Sequence, residues 1–344
     1  MSARVLIVGQ GLAGTTLGLE LEVAGVDFVV VSAGHERAAS RVAAGLINPV
    51  TGQRWVKSTR VEELRPIARE SYARWSALLG VELWHPLQLT RWWRNEAERA
   101  LVERKLAAGD LAPFATAASV NERGVGIEGA AWVDLPALLG AAAQRWRERG
   151  KLRELALEGE IAAADLDFSA EAVEWGRERF DAAVLCTGSG RLARELFGFL
   201  PFATAKGEML AVRGCPLPAG TAVSRGTWLI AGAGGTARVG ATYERDREDF
   251  TLSAEARARL LADAEMLAGG AVEAGGQSAG VRLSLPDRRP VVGWHPTRPR
   301  LGIFGALGSK GALWAPWLAQ VWRDAALDAT KRFPVELSVG RGGK

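Results

Sequence analysis

The chain is poor in the residues that usually carry metal-binding and acid–base chemistry. Its 344 residues include 2 Cys and 3 His, and the histidines, His35, His85 and His295, are scattered along the sequence. Two cysteines exclude a disulfide framework and a cysteine-rich metal site. Three scattered histidines do not form a histidine-built centre. We therefore expect no metal site, and we expect both cysteines to be reduced, as in a cytoplasmic protein.

Long apolar runs are also missing. No segment approaches the roughly eighteen apolar residues of a membrane-spanning helix, and the first apolar run stops at Gly9, which argues against a secretory signal. The 43 basic and 39 acidic residues are interleaved, so the charge neither favours nor excludes a nucleic-acid partner. We expect a cytoplasmic globular protein of two lobes, because the length exceeds what one core usually organises. The oligomeric state is left open.

Glycine, by contrast, is abundant, with 41 residues, and one glycine cluster lies in an informative context. Residues 4–8 (RVLIV) are typical of a buried strand, GQGLAG follows at 9–14, residues 15–24 show helical spacing, and 28–31 predict a second buried strand. Within such a βαβ unit, G-x-G-x-x-G is the fingerprint of dinucleotide binding. The glycines allow a tight turn, close approach of a pyrophosphate, and close packing of helix on strand.

The residue expected to bind the adenosine of the dinucleotide departs from that fingerprint. Ser32 stands at the end of the second strand, where a carboxylate usually accepts hydrogen bonds from the ribose hydroxyls. A serine can form one weaker bond there, and Glu36 is the candidate substitute a turn further on.

Further along the chain, several segments have the pattern of known secondary-structure elements. Helices are predicted over 61–79 and 96–108, from the N-cap Asp134 to Arg149, over 253–267 with Ser253 as N-cap, and from about Lys310 to Ala329. Strands and turns are predicted over 81–94 and 201–244. The buried strand 180–186 ends in Thr-Gly, a turn whose N–H groups can reach the same phosphates as the fingerprint.

These segments together resemble a known family in its order along nearly the whole chain. They are the fingerprint, SRVAAGLINP (40–49), VLCTG (184–188), GVRLSLPDRRPVVG (280–293) and GALGSKGALWAPWLA (305–319). They resemble the D-amino-acid oxidase-like (DAO) superfamily of FAD-dependent amine oxidoreductases, which includes glycine oxidase and sarcosine oxidase. The last segment is most similar to the oxidase half of bacterial bifunctional enzymes that modify wobble uridine in tRNA.

The resemblance implies an α/β fold with a discontinuous, Rossmann-like FAD-binding domain and a second, mainly antiparallel-sheet substrate domain. The expected FAD-binding domain comprises residues 1–80, 131–200 and 280–344, and the substrate domain 81–130 and 201–279. The residues implied to bind FAD are Gly9, Gly11, Leu12, Ala13, Gly14, Ser32, Ser40, Arg41, Ala44, Gly45, Leu46, Thr187, Gly188, Gly305, Leu307, Gly308, Ser309, Lys310 and Gly311.

The resemblance also implies three catalytic candidates. Arg282 matches an arginine that grips the substrate carboxylate in many relatives, Lys310 is positioned to place a charge near flavin, substrate or dioxygen, and Tyr243 is a candidate pocket residue. The family often has proline and threonine after this arginine, whereas this chain has Leu283 and Leu285, which makes the pocket wall more apolar. The implied reaction is oxidation of an amine or amino acid, with hydride passing from the α-carbon to flavin N5.

Simpler interpretations of these three residues remain open at this point. Arg282 has a neighbouring carboxylate at Asp287 with which it can pair, Lys310 can be an exposed helix-start lysine, and Tyr243 can be ordinary sheet packing. Trp92 and Trp93 are weaker candidates for a pocket that takes a bulky or flat substrate.

Several alternatives for the whole protein also remain open. Within flavoenzymes, a small amine or amino acid competes with a carboxymethylaminomethyl-type modified tRNA base as substrate, and the small molecule is favoured. More distant alternatives are a nicotinamide-dependent enzyme, a non-enzymatic dinucleotide-binding module, and a serine hydrolase. The hydrolase would use the G-x-S-x-G of residues 276–280 with His295, although no helix is predicted after that motif.

Overall fold

The computed structural model describes residues 4–33, 38–155, 161–169, 171–328 and 330–341. Its strands are β1 Arg4–Val8, β2 Asp27–Ser32, β3 Leu46–Ile47, β4 Val50–Thr51, β5 Val56–Lys57, β6 Trp84–Pro86, β7 Gln88–Trp92, β8 Gly124–Ile127, β9 Ala131–Val133, β10 Leu152–Glu154, β11 Leu166–Phe168, β12 Val173–Trp175, β13 Glu178–Phe180, β14 Ala182–Leu185, β15 Ala203–Arg213, β16 Thr221–Arg225, β17 Thr227–Ala231, β18 Ala237–Gly240, β19 Glu244–Arg245, β20 Glu273–Ser284, β21 Val291–Trp294 and β22 Leu301–Gly305. Its α-helices are α1 Leu12–Val23, α2 Ala39–Val42, α3 Val61–Leu79, α4 Glu96–Ala107, α5 Leu135–Glu148, α6 Arg191–Leu196, α7 Ala254–Ala268 and α8 Gly311–Leu327.

A six-stranded sheet is built around the predicted βαβ unit. Its order is β10-β2-β1-β14-β22-β21, and all neighbours are parallel except β21 and β22. Helices cover it, with α1 packed against α5 and α8. The ten residues from Leu12 to Leu21 are all buried, and the buried Glu20 carboxylate among them pairs with Arg74 and Arg323.

An eight-stranded, mostly antiparallel sheet forms the second lobe. Its order is β19-β15-β18-β17-β16-β7-β8, and β20 pairs along the other edge of β15. Side chains alternate along β15: Leu210 packs with residues of α7, whereas Gly207 and Met209 face a cavity. One face of this sheet thus packs against α7, whereas the other contributes both to the cavity wall and, through residues such as Ile230, to the main core. Smaller sheets join β3 to β9 and β6, β4 to β5, and β11 to β12 and β13.

The predicted helix starts are confirmed by side-chain caps. The Asp134 carboxylate accepts a hydrogen bond from the Ala137 N–H at 3.0 Å, and the Ser253 hydroxyl accepts one from the Ala256 N–H at 3.1 Å. Each cap satisfies a backbone donor that the helix leaves free.

Strand β20 is longer than the sequence indicates. The glycine-rich residues 276–280 have little strand preference, yet the structure has one continuous strand from Glu273 to Ser284. Pairing with β15 along ten registered positions supplies hydrogen bonds regardless of the low strand preference of glycine.

The predicted fold class is confirmed, whereas the exact domain boundaries remain a prediction. Strand β20 crosses the boundary expected at residues 279 and 280. Across the described ranges, no helix is long and apolar enough to cross a membrane.

Candidate functional site

A cavity of about 1160 Å³ lies between the carboxyl ends of the six-stranded sheet and the open face of the eight-stranded sheet. Ligands of open α/β sheets bind outside the carboxyl ends of the strands. Nearly all predicted site residues line this cavity, namely Gly9, Gly11, Leu12, Ala13, Ser32, Ser40, Ala44, Gly45, Leu46, Thr187, Gly188, Tyr243, Arg282, Gly305, Leu307, Gly308, Ser309, Lys310 and Gly311. Gly14 and Arg41 do not.

Gly14 acts through packing. A Cβ at this position would overlap the carbonyl oxygen of Gly9, so only glycine lets α1 lie this close to the preceding turn. The residue belongs to the fingerprint, as predicted, but it shapes the turn and does not line the cavity.

The α1 N-terminus faces the cavity with a hydroxyl beside it. Gly11, the N-cap, has no side chain to cap the helix, and the Leu12 N–H instead donates to Ser40 Oγ at 3.0 Å. A helix N-terminus favours anions through its free N–H groups and dipole, and Ser40 adds a hydroxyl that can donate to the same anion.

The contact predicted between Arg41 and FAD stays a prediction, because the structure does not place this residue on the cavity wall. Arg41 follows Ser40 on α2, and the short helix turns its side chain to solvent, outside the cavity.

At the adenosine end, Ser32 is 6% exposed and lines the cavity at the end of β2. Thr187 and Gly188, which follow β14, line the same region. The candidate Glu36 lies outside the described residues.

The loop after β22 carries Lys310 into the cavity at the start of α8. Burial lowers the pKa of the Lys310 amine, and the nearby positive charge of Arg288 lowers it further. Lys310 is therefore a half-buried cavity cation, and the interpretation as an exposed helix-start lysine is wrong.

Arg282 lies flat against the eight-stranded sheet. A Cβ on Gly207 would overlap its guanidinium, so the absence of a side chain on β15 creates the space that this group occupies. Burial lowers the pKa of Arg282, and its buried Nη1 has no hydrogen-bond partner within the described ranges. The alternative pairing with Asp287 is wrong, because Asp287 instead accepts from Arg341 Nε at 2.9 Å.

Tyr243 lies beside this arginine at the cavity rim. The Arg282 Cζ is 5.9 Å from the centre of the Tyr243 ring, and Tyr243 is 56% exposed. Sheet packing alone does not explain an aromatic ring that lines the cavity and stays half open to solvent.

A family model described as "DAO: FAD dependent oxidoreductase" matches residues 4–324. The chain belongs to the DAO family. It is therefore an FAD-dependent oxidoreductase, and the nicotinamide-dependent, non-enzymatic and hydrolase alternatives no longer apply.

Two curated DAO relatives are tRNA 5-methylaminomethyl-2-thiouridine biosynthesis bifunctional proteins. The one from Thiobacillus denitrificans is 26% identical, with 98% of this chain and 58% of the relative covered. The one from Idiomarina loihiensis is 26% identical, with 92% and 54% covered. The chain spans just over half the length of these relatives.

Solved DAO structures share the fold along the full length. Glycine oxidase from Geobacillus kaustophilus has a TM-score of 0.77 at 21% identity, and all of both chains is covered. Iminodiacetate oxidase from Chelativorans sp. BNC1 also has a TM-score of 0.77, at 18% identity, with 97% of this chain and 98% of the other covered.

The DAO cavity fits FAD on independent structural grounds. Gln10 Oε1 and Thr187 Oγ1 are buried, belong to cavity-lining residues, and have no hydrogen-bond partner in the described part of the chain. Buried polar groups are normally paired, so these atoms suit a ligand rich in hydroxyl and phosphate groups. The volume exceeds that of most small-molecule pockets and leaves room for a second ligand.

Some cavity residues were not identified from the sequence. Arg91 bonds to the Val50 carbonyl at 3.1 Å and stacks on Trp55, with 3.9 Å from Cζ to the ring centre, and burial lowers its pKa to about 10. Trp228 and Glu248 also line the cavity. The RWWR segment was the available signal for Arg91, but of the two candidate tryptophans beside it only Trp92 lines the cavity.

The serine-hydrolase motif is a strand interior. Residues 276–280 lie within β20, where residues 277–280 pair with β15 and the register shifts just before Gln277. Ser278 therefore has no sharp strand-to-helix turn, and His295 Nε2 contacts the Leu196 carbonyl at 2.9 Å.

Proposed function

We propose that the protein oxidises the C–N bond of an amino acid or a related amine whose carboxylate is bound by Arg282. The observation that carries this proposal is the buried Arg282 guanidinium, which has a free Nη1 in the cavity that also contains the dinucleotide turn. A guanidinium without a carboxylate partner is costly to bury. A substrate carboxylate supplies that partner through two parallel hydrogen bonds.

The other side chains orient the substrate and shape the electrostatics. Bound FAD supplies the acceptor for a hydride from the substrate α-carbon. Lys310 and the α8 N-terminus both place positive charge on one side of the cavity, which favours anionic groups there. Tyr243 lies at the rim next to Arg282, where its ring would cover one side of the bound carboxylate.

We further propose the residues that hold FAD. The α1 N-terminus and Ser40 would hold the pyrophosphate, Ser32 and Thr187 the adenosine side, and the segments 44–46 and 305–311 the flavin. The division of the chain into 1–80, 131–200 and 280–344 against 81–130 and 201–279 is proposed on the same basis. A cytoplasmic location is also proposed, because Cys186 and Cys215 are both free and buried.

Anaerobic flavin bleaching tests the proposal. Amino acids and N-alkyl glycines are mixed with the FAD-loaded protein, and loss of the yellow colour reports substrate oxidation. Arg282→Met should raise KM for carboxylate substrates by about a hundredfold, because one charged bidentate contact is lost. The proposal fails if no member of the panel bleaches the flavin, or if Arg282→Met acts like the wild type.

A second candidate is oxidation of a carboxymethylaminomethyl-type modified base in tRNA. The curated relatives of the bifunctional tRNA-modifying class favour it. A tRNA substrate predicts an affinity that falls steeply with salt. Turnover of free amino acids that is insensitive to salt, with no tRNA binding at low salt, would exclude this candidate.

A further inference from the structure

Two long side chains lie flat on the cavity face of the eight-stranded sheet, each over a glycine. Arg282 lies over Gly207, as described above. The indole of Trp228 lies over Gly240 of β18, where a Cβ would be 2.8 Å from the Trp228 ring and 2.9 Å from Met209 Cγ. The two glycines thus create two adjoining flat surfaces, one cationic and one apolar.

The strand register places these surfaces side by side. Met209 of β15 pairs with Gly240 of β18, which pairs with Trp228 of β17, so the three lie in one row across the sheet. Met209 is two residues beyond Gly207 on β15, so the rows are about 7 Å apart. A spacing of this size lets one small molecule place its carboxylate on Arg282 and an attached ring on Trp228.

Core packing accounts for only part of the Trp228 position, because the ring contacts the main hydrophobic core but also remains open to the cavity. The sheet buries Leu229 and Val239 on its opposite face, against α7, whereas Trp228 lines the cavity and is only half-buried. The largest fully buried tryptophans, such as Trp146, lie elsewhere.

We propose that Trp228, backed by Met209, determines specificity by stacking on a planar ring of the substrate. The preferred substrates are then amino acids that carry a planar ring on the nitrogen or on the α-carbon, and glycine and sarcosine are poor. This inference rests on the proposed function, because the carboxylate on Arg282 fixes the distance to the ring. Indole and thioether both bind ring faces well.

The test compares matched substrate pairs. N-benzylglycine is compared with sarcosine, and each enantiomer of phenylalanine with that of alanine, by flavin reduction in the FAD-loaded protein. The first pair places the ring on nitrogen and the second on the α-carbon. We expect kcat/KM for a ring-bearing member to exceed that of its partner by about tenfold or more.

Variants separate stacking from a structural role. Trp228→Ala should lower the kcat/KM ratio of the ring-bearing substrate to its partner by about tenfold, mainly by raising KM for the ring-bearing substrate. Trp228→Phe should restore most of that ratio. Trp175→Ala, on β12 outside the cavity, is the control and should leave the ratio unchanged. An equal loss for both members of each pair, or a wild-type preference for sarcosine and alanine, overturns the inference.

A binding measurement keeps the two proposals distinguishable. Phenylacetate and acetate differ by a ring and cannot be oxidised as amines, so flavin difference spectra report their binding alone. Tighter binding of phenylacetate that is lost in Trp228→Ala supports the inference even if no amine bleaches the flavin. Equal binding of the two acids, or no effect of the variant, overturns it.

Discussion

At the scale of single residues, Gly207 controls where the Arg282 guanidinium lies. Gly207→Ala places a methyl group where that guanidinium now packs, so we expect KM for a carboxylate substrate to rise about tenfold. The stability cost should be about 1 kcal/mol, because the end of a long side chain can shift. Steady-state kinetics and urea unfolding measure the two effects.

The control is Gly276→Ala on β20, where a Cβ would meet no atom within 4 Å. It should leave both KM and stability unchanged. Equal effects of the two substitutions would contradict the assigned role of Gly207.

Lys310 gives a prediction in pH. Its pKa is lowered below the ordinary 10.5, so its charge is present at lower pH and is lost as pH rises through the lowered value. If the charge assists the reaction, the rate falls at a pH below 10.5. Lys310→Arg should extend the plateau to higher pH, since arginine stays protonated. Lys310→Met should lower the rate by about tenfold across the plateau.

The pH profile of each variant, measured by flavin reduction, decides the matter. The same group also affects stability in a definite direction: the folded chain releases its proton before the unfolded chain does. Its contribution to stability therefore improves as pH rises through the lowered pKa. Identical profiles for the wild type and Lys310→Arg would remove Lys310 from the reaction.

Which site residues the sequence could predict depends on whether they act locally. The turn of residues 9–14 joins β1 to α1, and Ser40 belongs to a motif of the family. The pattern of residues around each one was therefore enough to predict it. Trp228 enters the cavity only through the pairing of β17 with β18, and no local pattern contains that register. Arg41 illustrates a different limit. The resemblance identifies the segment that contains Ser40 and Arg41, but it does not say which of their side chains lines the cavity.

At the scale of elements, the segment 246–252 between β19 and α7 carries two cavity-lining residues, Glu248 and Phe250. It is held by Lys206, whose side chain is 1% exposed and whose Nζ contacts Asp249 at 3.0 Å and the buried Glu208 at 3.5 Å. A second ion pair joins Glu248 to Arg194, and both of these side chains are more than a third exposed.

The two ion-pair contacts of this segment should contribute very different amounts to the free energy of unfolding. Lys206→Met leaves the fully buried Glu208 carboxylate without its cation and should lower the free energy of unfolding by about 3–5 kcal/mol. Arg194→Met breaks an exposed pair and should cost less than about 1 kcal/mol. Urea unfolding of the FAD-loaded protein measures both, and similar costs would show that the segment is not anchored through Lys206.

Helices and strands could be predicted where apolar residues recur with a regular spacing along the chain. The apolar spacing of α3 gives its bounds at 61 and 79 as predicted, and the caps of α5 and α7 mark their starts. Strand β20 was not predictable over its glycine-rich half, because its residues have little strand preference and the ladder with β15 holds them in place. Sheet partners distant in sequence therefore define the elements that local composition leaves undefined.

At the scale of the whole molecule, the ligand cavity is also the junction between the two sheets. The turn between β4 and β5 is held across this junction, because Trp55 Nε1 donates to Glu98 at 2.8 Å and Arg91 binds the Val50 carbonyl. FAD bound in this junction would contact both sheets. The stability of the molecule should then depend strongly on the cofactor.

We expect removal of FAD to lower the melting temperature by roughly 5–10 °C. A ligand that binds only the folded chain stabilises it by about 4 kcal/mol at a thousandfold excess over its Kd, and each kcal/mol shifts a chain of this size by about 2 °C. Calorimetry of the apoprotein against increasing FAD measures the shift, which should grow with the logarithm of FAD concentration. FMN is the control, because it lacks the adenosine half that Ser32 and Thr187 would contact, and its shift should be much smaller. Equal shifts with FMN and FAD would contradict an extended dinucleotide running from the α1 turn to the adenosine end of the cavity.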